Sequence, residues 1–245
     1  MQQRCNSRKG LYHPEFEHDA CGVGFIADIT GHRSYEIVRK AVQAVANLTH
    51  RGAVDADAKT GDGAGILTQI PRKLFSREVE RLGHRALEGE DLAVGMIFLP
   101  RLDAAANNRC RVTIEEAVDH YDLTFFGWRQ VPVEVSVLGD TAAELLPDIQ
   151  QVLIGRPGSM SEVEFERSLY LVRKQIERSV YRHGIRGCYI CSLSNRTIIY
   201  KGMMVAPQLS RFYKDLKNPD FESALAIFHQ RYSTNTMPNW FLAQP

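Results

Sequence analysis

The chain has 245 residues, 44% of them hydrophobic, and balances 30 Lys and Arg against 29 Asp and Glu. That length suits one large domain with a sizeable core, or at most two small ones. The near-zero net charge gives no reason to expect nucleic acid or an anionic membrane as partner. No stretch approaches the ~18 consecutive apolar residues of a membrane span, and the first twenty residues lack the apolar centre of a secretory signal, so the cytoplasm is the expected setting.

Residues 1–20 are polar, carry Gly10 and Pro14, and show no period; they read as a leader. At Cys21 the pattern changes. "CGVGFIADI" predicts a short strand opened by two glycines. Apolar residues at Ile37, Val38, Ala41, Val42, Val45 and Leu48 then have helical spacing, with Ser34 as N-cap and Gly52 just past the end. "GAGILTQIP" predicts a strand, residues 72–83 a weak helix, and "LAVGMIFLP" a buried strand. A helix over 110–121 and a strand in "TFFGWRQVPVE" follow. The clearest helix starts at Ser161, which forms a capping box with Glu164 and precedes a stripe of Phe165, Leu169, Val172, Ile176 and Val180. "CYICSLSNRTIIYKG" predicts two strands joined at Asn195-Arg196. A short helix in "PQLSRFYKDL" and a strand in "SALAIFHQRYST" complete the pass. Clustered strands with intervening helices predict an α+β fold of antiparallel sheets with helices on their outer faces.

Five scattered cysteines, Cys5, Cys21, Cys110, Cys188 and Cys191, argue against a disulfide framework. Cys188 and Cys191 form a CxxC, but on a strand positions three apart point to opposite faces, and no second Cys/His pair completes a zinc site. His18, His50 and His229 show no metal spacing either, and no metal is expected. "TGDGAG" resembles a phosphate-cradling loop but lacks the Lys-Ser/Thr that would follow it, so its glycines are expected to serve tight turns.

Cys21 stands apart because it sits between an acidic, polar leader and a glycine-rich apolar run. A cysteine attacks as its thiolate and needs a base. Its own α-amine is one such base, with a pKa of about 7.7–8, poised near neutrality. That role requires removal of the leader at Ala20–Cys21, and Gly22 and Gly24 would then let the backbone pass close to a substrate. The same residues also fit a buried cysteine opening a core strand.

Three segments carry a resemblance: "CGVGFIA", "LTHRGAVDADAKTGDGAGILTQIP" and "HQRYSTNTMPNW". Together, and in this order, they resemble the amino-terminal class II glutamine amidotransferase region of glutamate synthase large subunits, over about residues 17–245. The resemblance implies a four-layer αββα N-terminal-nucleophile hydrolase sandwich over 21–245, incomplete at its C-terminal end, behind a propeptide of residues 1–20. It implies that Cys21 is the catalytic nucleophile and that Arg231 grips the α-carboxylate of glutamine, a task suited to a guanidinium fork. Thr234 falls in the loop that closes on glutamine, and Arg51 and Gly52 in a turn packed near the nucleophile. Without the resemblance, Arg231 reads as a surface arginine ending a strand.

The implied reaction is hydrolysis of the glutamine side-chain amide, supplying ammonia for glutamate formation from 2-oxoglutarate. The implied partners are L-glutamine, the remainder of the large subunit and a small subunit. The Asn-Gly pair that supplies oxyanion donors in this family is not found before Pro245, so little activity is expected of this chain alone. FMN and a 3Fe–4S cluster are implied only for a full-length enzyme, with no cofactor in this chain. Two alternatives stay open: another class II amidotransferase, and a non-catalytic binding or assembly module. The long insertion between "GILTQIP" and "HQRYST" speaks against the first.

Overall fold

The computed structural model describes residues 21–55, 57, 59–85, 91–233 and 236–245; the expected leader and Thr234 lie outside them. Strands β1 (Gly22–Ala27), β2 (Ala64–Gln69), β7 (Thr197–Gly202) and β8 (Leu225–Gln230) form one antiparallel sheet in the order β1-β8-β2-β7. Strands β3 (Leu92–Leu99), β4 (Thr124–Gln130), β5 (Asp148–Gly155) and β6 (Tyr189–Ser194) form a second, in the order β4-β5-β3-β6. Among the described residues, no helix is long and apolar enough to cross a membrane.

Helix α1 (Tyr35–Asn47) packs Val38, Ala41 and Val45 into the core, one stripe of a 3.6-residue period, and lies against β8 and β1. Its cap is made by backbone rather than side chain: Ser34 and Ser223 exchange N–H···O bonds of 3.1 and 3.2 Å. Helix α2 (Arg72–Arg81) adds Leu74, Phe75 and Val79 to the same core. That core joins both sheets, with Ile66, Tyr200 and Phe228 from the first and Val94, Met96, Phe98 and Leu153 from the second.

Helices α3 (Ala104–His120) and α5 (Glu162–Arg182) cover the other face of the second sheet. Cys110, Ile114, Phe165, Leu169, Val172 and Ile176 meet Ala93, Ile97, Val152 and Ile154 there. Strand β3 is therefore buried on both faces, which is why its sequence is a continuous apolar run rather than an alternation. The run β3-α3-β4-β5-α5-β6, with its central β3 and β5 antiparallel, is a split βαβ unit. It is inserted between α2 and β7. The α+β class and the capping box follow the sequence: Ser161 Oγ accepts the Glu164 N–H at 3.3 Å, and Glu164 Oε2 accepts the Ser161 N–H at 2.9 Å.

Three elements differ from expectation. The two strands of "CYICSLSNRTIIYKG" do not pair as a hairpin; β6 belongs to the second sheet and β7 to the first. The turn at Asn195-Arg196 is a crossing between sheets. Strand β5 is absent from the sequence reading because Gln150 and Gln151 interrupt its apolar run. Gln151 is nevertheless fully buried, held by Arg129 Nη1 at 2.7 Å and donating to Tyr200 Oη at 2.9 Å. Helix α3 begins six residues before residue 110, where Asp103 caps it by accepting the Ala106 N–H at 2.8 Å. Two short helices, α4 (Asp140–Glu144) and α6 (Leu209–Phe212), complete the fold.

Candidate active site

Strand register assembles the site. Gly22 pairs with Gln230 at the end of the β1–β8 ladder, so Cys21 and Arg231 leave the sheet side by side, adjacent in sequence to that last pair. On the other side of β8, Ala64 pairs with Gln230 and Gly63 O accepts the Arg231 N–H at 2.8 Å. Both residues sit just past their strand ends, where the pleat no longer dictates direction and local contacts do.

Cys21 is exposed. The Tyr232 N–H donates to its Sγ at 3.4 Å, and the thiol lies 3.7 Å from Tyr232 O, so the backbone beyond Arg231 holds the sulfur in place. Arg231 is only 8% exposed. Its Nη1 donates to Asp62 O at 3.4 Å and its Nη2 to Thr236 Oγ1. No carboxylate among the described residues forms an ion pair with it. The reading of Arg231 as a surface arginine is thereby overturned: it is a buried cation met by a carbonyl and a hydroxyl. A buried charge without an opposite charge is costly, and an incoming carboxylate removes that cost.

Arg51 and Gly52 lie beside this edge. Helix α1 is followed by a tight turn at Thr49–Arg51, so Gly52 comes later than an immediate helix stop. A side chain at Gly52 would run into the Gln230 amide. Gln230 is fully buried; its Oε1 accepts the Ala206 N–H at 2.7 Å and its Nε2 donates to Gly63 O at 3.2 Å. Gly52 is thus required by a close approach to the residue preceding Arg231.

The early glycines have a different use from the one expected. A Cβ on Gly24 would sit 2.5 Å from the Phe228 ring, and one on Gly22 3.1 Å from Leu48 and Arg51. Their missing side chains make room for the protein's own core rather than for a ligand. In "TGDGAG", Gly63 has φ 144°, a backbone conformation that side-chain-bearing residues avoid, as a turn entering β2 demands.

The CxxC pair divides between two clusters: Cys191 packs with the inter-sheet core and Cys188 with α3 and α5. Burial pushes the Cys191 thiol up to about 12. The two lie in different clusters and do not share one metal or iron–sulfur site, and a hydrogen bond with Cys110, then burial, raises the Cys188 thiol as well.

Sequence reasoning missed three contributors: Gln230, the Tyr232 amide and Asp62. The last is 7% exposed and accepts the Ser233 N–H on its carboxylate. An aspartate between two glycines is read from sequence as turn chemistry, and nothing local shows that its partner is 171 residues away.

The comparisons with known proteins identify the family. The family model for class-II glutamine amidotransferases matches residues 21–245, beginning at Cys21 itself. The chain is 50% identical to the NADPH glutamate synthase large chain of Azospirillum brasilense over 96% of its own length and 15% of that relative's. It is 43% identical to ferredoxin-dependent glutamate synthase 2 of Synechocystis over 94% of the chain and 14% of the relative. It is 39% identical to the NADPH glutamate synthase large chain of Bacillus subtilis over 97% of the chain and 15% of the relative. The chain therefore spans about one seventh of the length of these relatives. With the family model covering all but the first twenty residues, the chain belongs to the class-II glutamine amidotransferases.

Proposed function

We propose that this chain carries the glutamine-hydrolysing chemistry of a glutamate synthase, with Cys21 as nucleophile and Arg231 as the clamp for the α-carboxylate. The observation that carries the reading is the Tyr232 N–H on the exposed Cys21 thiol, next in the chain to a buried guanidinium that meets no carboxylate among the described residues. A guanidinium in that state offers a bidentate fork to one end of glutamine, while the thiol meets the other.

Removal of residues 1–20 frees the Cys21 α-amine, which takes the thiol proton as sulfur attacks the side-chain amide carbon. The C–N bond breaks, the proton returns to nitrogen, and ammonia leaves a γ-glutamyl thioester. Water then attacks the thioester carbon, the C–S bond breaks, and glutamate and the free thiol result. The family match starting at residue 21 supports cleavage at that bond. Thr234 belongs to the same loop in this reading. Ammonia then passes to a 2-oxoglutarate site in the remainder of the large subunit, with a small subunit as further partner. FMN and the 3Fe–4S cluster stay with that remainder; the separated faces of Cys188 and Cys191 do not suit a cluster here. The relatives bear NADPH and ferredoxin names alike, so this region does not set the electron donor.

A second reading, a binding or assembly module, draws on the open apolar face of the first sheet. Val23 and Phe25 are 65% and 76% exposed on edge strand β1, beside Ile227. Labelling with 6-diazo-5-oxo-L-norleucine, a glutamine-like electrophile, separates the two. One equivalent on Cys21, absent in Cys21→Ala, supports the hydrolytic reading. A folded chain that starts at Cys21 and takes no label supports the module. Intact mass shows whether the chain begins at Met1 or Cys21.

A further inference from the structure

Asp62 lies against the clamp without joining it. It sits in the turn between the isolated bridge Val54–Gly61 and the start of β2, with its own N–H on Ala53 O at 3.4 Å. Two of its groups reach the segment after β8. Its backbone carbonyl accepts Arg231 Nη1 at 3.4 Å, and its carboxylate accepts the Ser233 N–H. The next carbonyl, Gly63 O, accepts the Arg231 N–H at 2.8 Å and Gln230 Nε2 at 3.2 Å. Residues 62 and 63 thus form a cradle for residues 230–233.

The division of labour within Asp62 matters. Its carboxylate forms no ion pair with Arg231; it is engaged by the Ser233 amide instead. Had the carboxylate paired with the guanidinium, a substrate carboxylate would have to displace it. Engaged one residue beyond Tyr232, it fixes the path of the chain that carries the Tyr232 amide to Cys21 Sγ. That path also turns Thr236 back onto Arg231 Nη2, and Ser233 Oγ donates to Thr236 O. One buried carboxylate therefore sets both the sulfur's backbone partner and the orientation of the clamp. We propose that Asp62 is a positioning residue for glutamine binding, holding residues 231–233 so that Arg231 presents its fork to the α-carboxylate while its charge stays free. This rests on the hydrolytic reading above.

The test compares wild type, Asp62→Asn and Asp62→Ala, each beginning at Cys21. Three quantities are read: saturation of Cys21 labelling by 6-diazo-5-oxo-L-norleucine, alkylation by iodoacetamide, and hydrogen exchange of the peptide spanning 230–237. Asp62→Ala raises the half-saturating norleucine reagent about tenfold, the worth of one hydrogen bond that fixes the segment. It speeds exchange of the segment and changes iodoacetamide alkylation less than the norleucine half-saturation, because loosening the Tyr232 amide acts on both reagents alike while loss of the clamp acts on the glutamine-like one. Asp62→Asn, whose Oδ1 still accepts the Ser233 N–H, stays close to wild type. If Asp62→Ala does not fold, Ser233→Pro removes the donor instead of the acceptor and reproduces the alanine result beyond the effect of Ser233→Ala, which loses only the hydroxyl bond to Thr236 O.

Faster exchange with unchanged half-saturation overturns the positioning role. So does an Asp62→Asn as impaired as Asp62→Ala, because the charge would then act on substrate directly. Wild type that takes iodoacetamide but not the norleucine reagent overturns the glutamine reading itself, a result distinct from either.

Discussion

Two arginines of this chain are buried to the same degree and mean different things. Arg129, 6% exposed, lies at the junction of the two sheets, where Asp215 takes both of its terminal nitrogens at 2.7 and 2.8 Å. Gln151 accepts from it, Glu78 stands 3.3 Å from its Nε, and Tyr200 Oη donates to Asp215 at 2.8 Å. Burial pulls its proton affinity down, but the hydrogen bonds and charge of Asp215 outweigh this and hold it above the ordinary guanidinium. Arg231, 8% exposed, has a carbonyl and a hydroxyl. Burial alone marks neither as functional. The state of compensation separates them: a neutralised cation is a structural tie, and in the proposed function the uncompensated one receives an anion.

The largest expected effect comes from breaking the tie. Asp215→Ala strips both terminal nitrogens of Arg129 of their carboxylate and leaves Glu78, 3.3 Å from Nε, to face the buried charge, at a cost of about 3–5 kcal/mol. In a chain of this size that lowers the melting temperature by roughly 10 °C. Replacing the pair together, Arg129→Met with Asp215→Leu, should recover most of the loss, as measured by thermal melts. Recovery that fails would mean the pair specifies the docking of the inserted unit rather than merely offsetting its own burial.

Arg231→Met should invert that pattern. Stability holds or rises, since an unpaired buried charge is removed. The concentration of norleucine reagent that half-saturates Cys21 labelling should rise by roughly 10–100-fold. A melt that falls as far as that of Asp215→Ala would place Arg231 in the structural class and dissolve the contrast.

A smaller effect tests the strand that carries the thiol. Gly24→Ala drives a methyl into the Phe228 ring, with a cost of about 1–3 kcal/mol for an overpacked core. Phe228→Leu in the same chain should return part of it, and labelling of Cys21 should follow stability rather than change independently.

The smallest effect is a pH dependence beside the clamp. Burial, then the charge of Arg231, lowers the pKa of His229 below its ordinary 6.5. The unfolded chain therefore takes up this proton before the folded one as pH falls, so the associated stability is present above about 6.5 and lost on acidification. Melting temperature should decline from about pH 7 to 5, and His229→Gln should flatten that decline.

Much of the fold was legible because periodicity reports burial. The stripes of α1 and α5, the runs of β1, β2 and β3, and the Ser161–Glu164 box are local patterns with local causes. Strand β5 was not legible, because its two glutamines interrupt the apolar run and yet are buried, Gln151 by partners in β4 and β7 and Gln150 against Asp148 of its own strand. The crossing at Asn195-Arg196 was not legible either, since a turn pair fixes a reversal but not which sheet each strand joins.

By itself the sequence determined the class of chemistry. A cysteine at a polar-to-apolar boundary, an arginine ending a strand and a specific wording around both are properties of short segments, and short segments survive in a linear reading. The tertiary structure alone decided that Arg231 is buried with no counter-charge among the described residues, that Asp62 turns its carboxylate to Ser233, and that Gly52 yields its space to Gln230. Those are contacts across 160 to 180 positions, set by the register of β1, β8 and β2. Register is fixed by the joint burial of whole strands, so no single segment contains it.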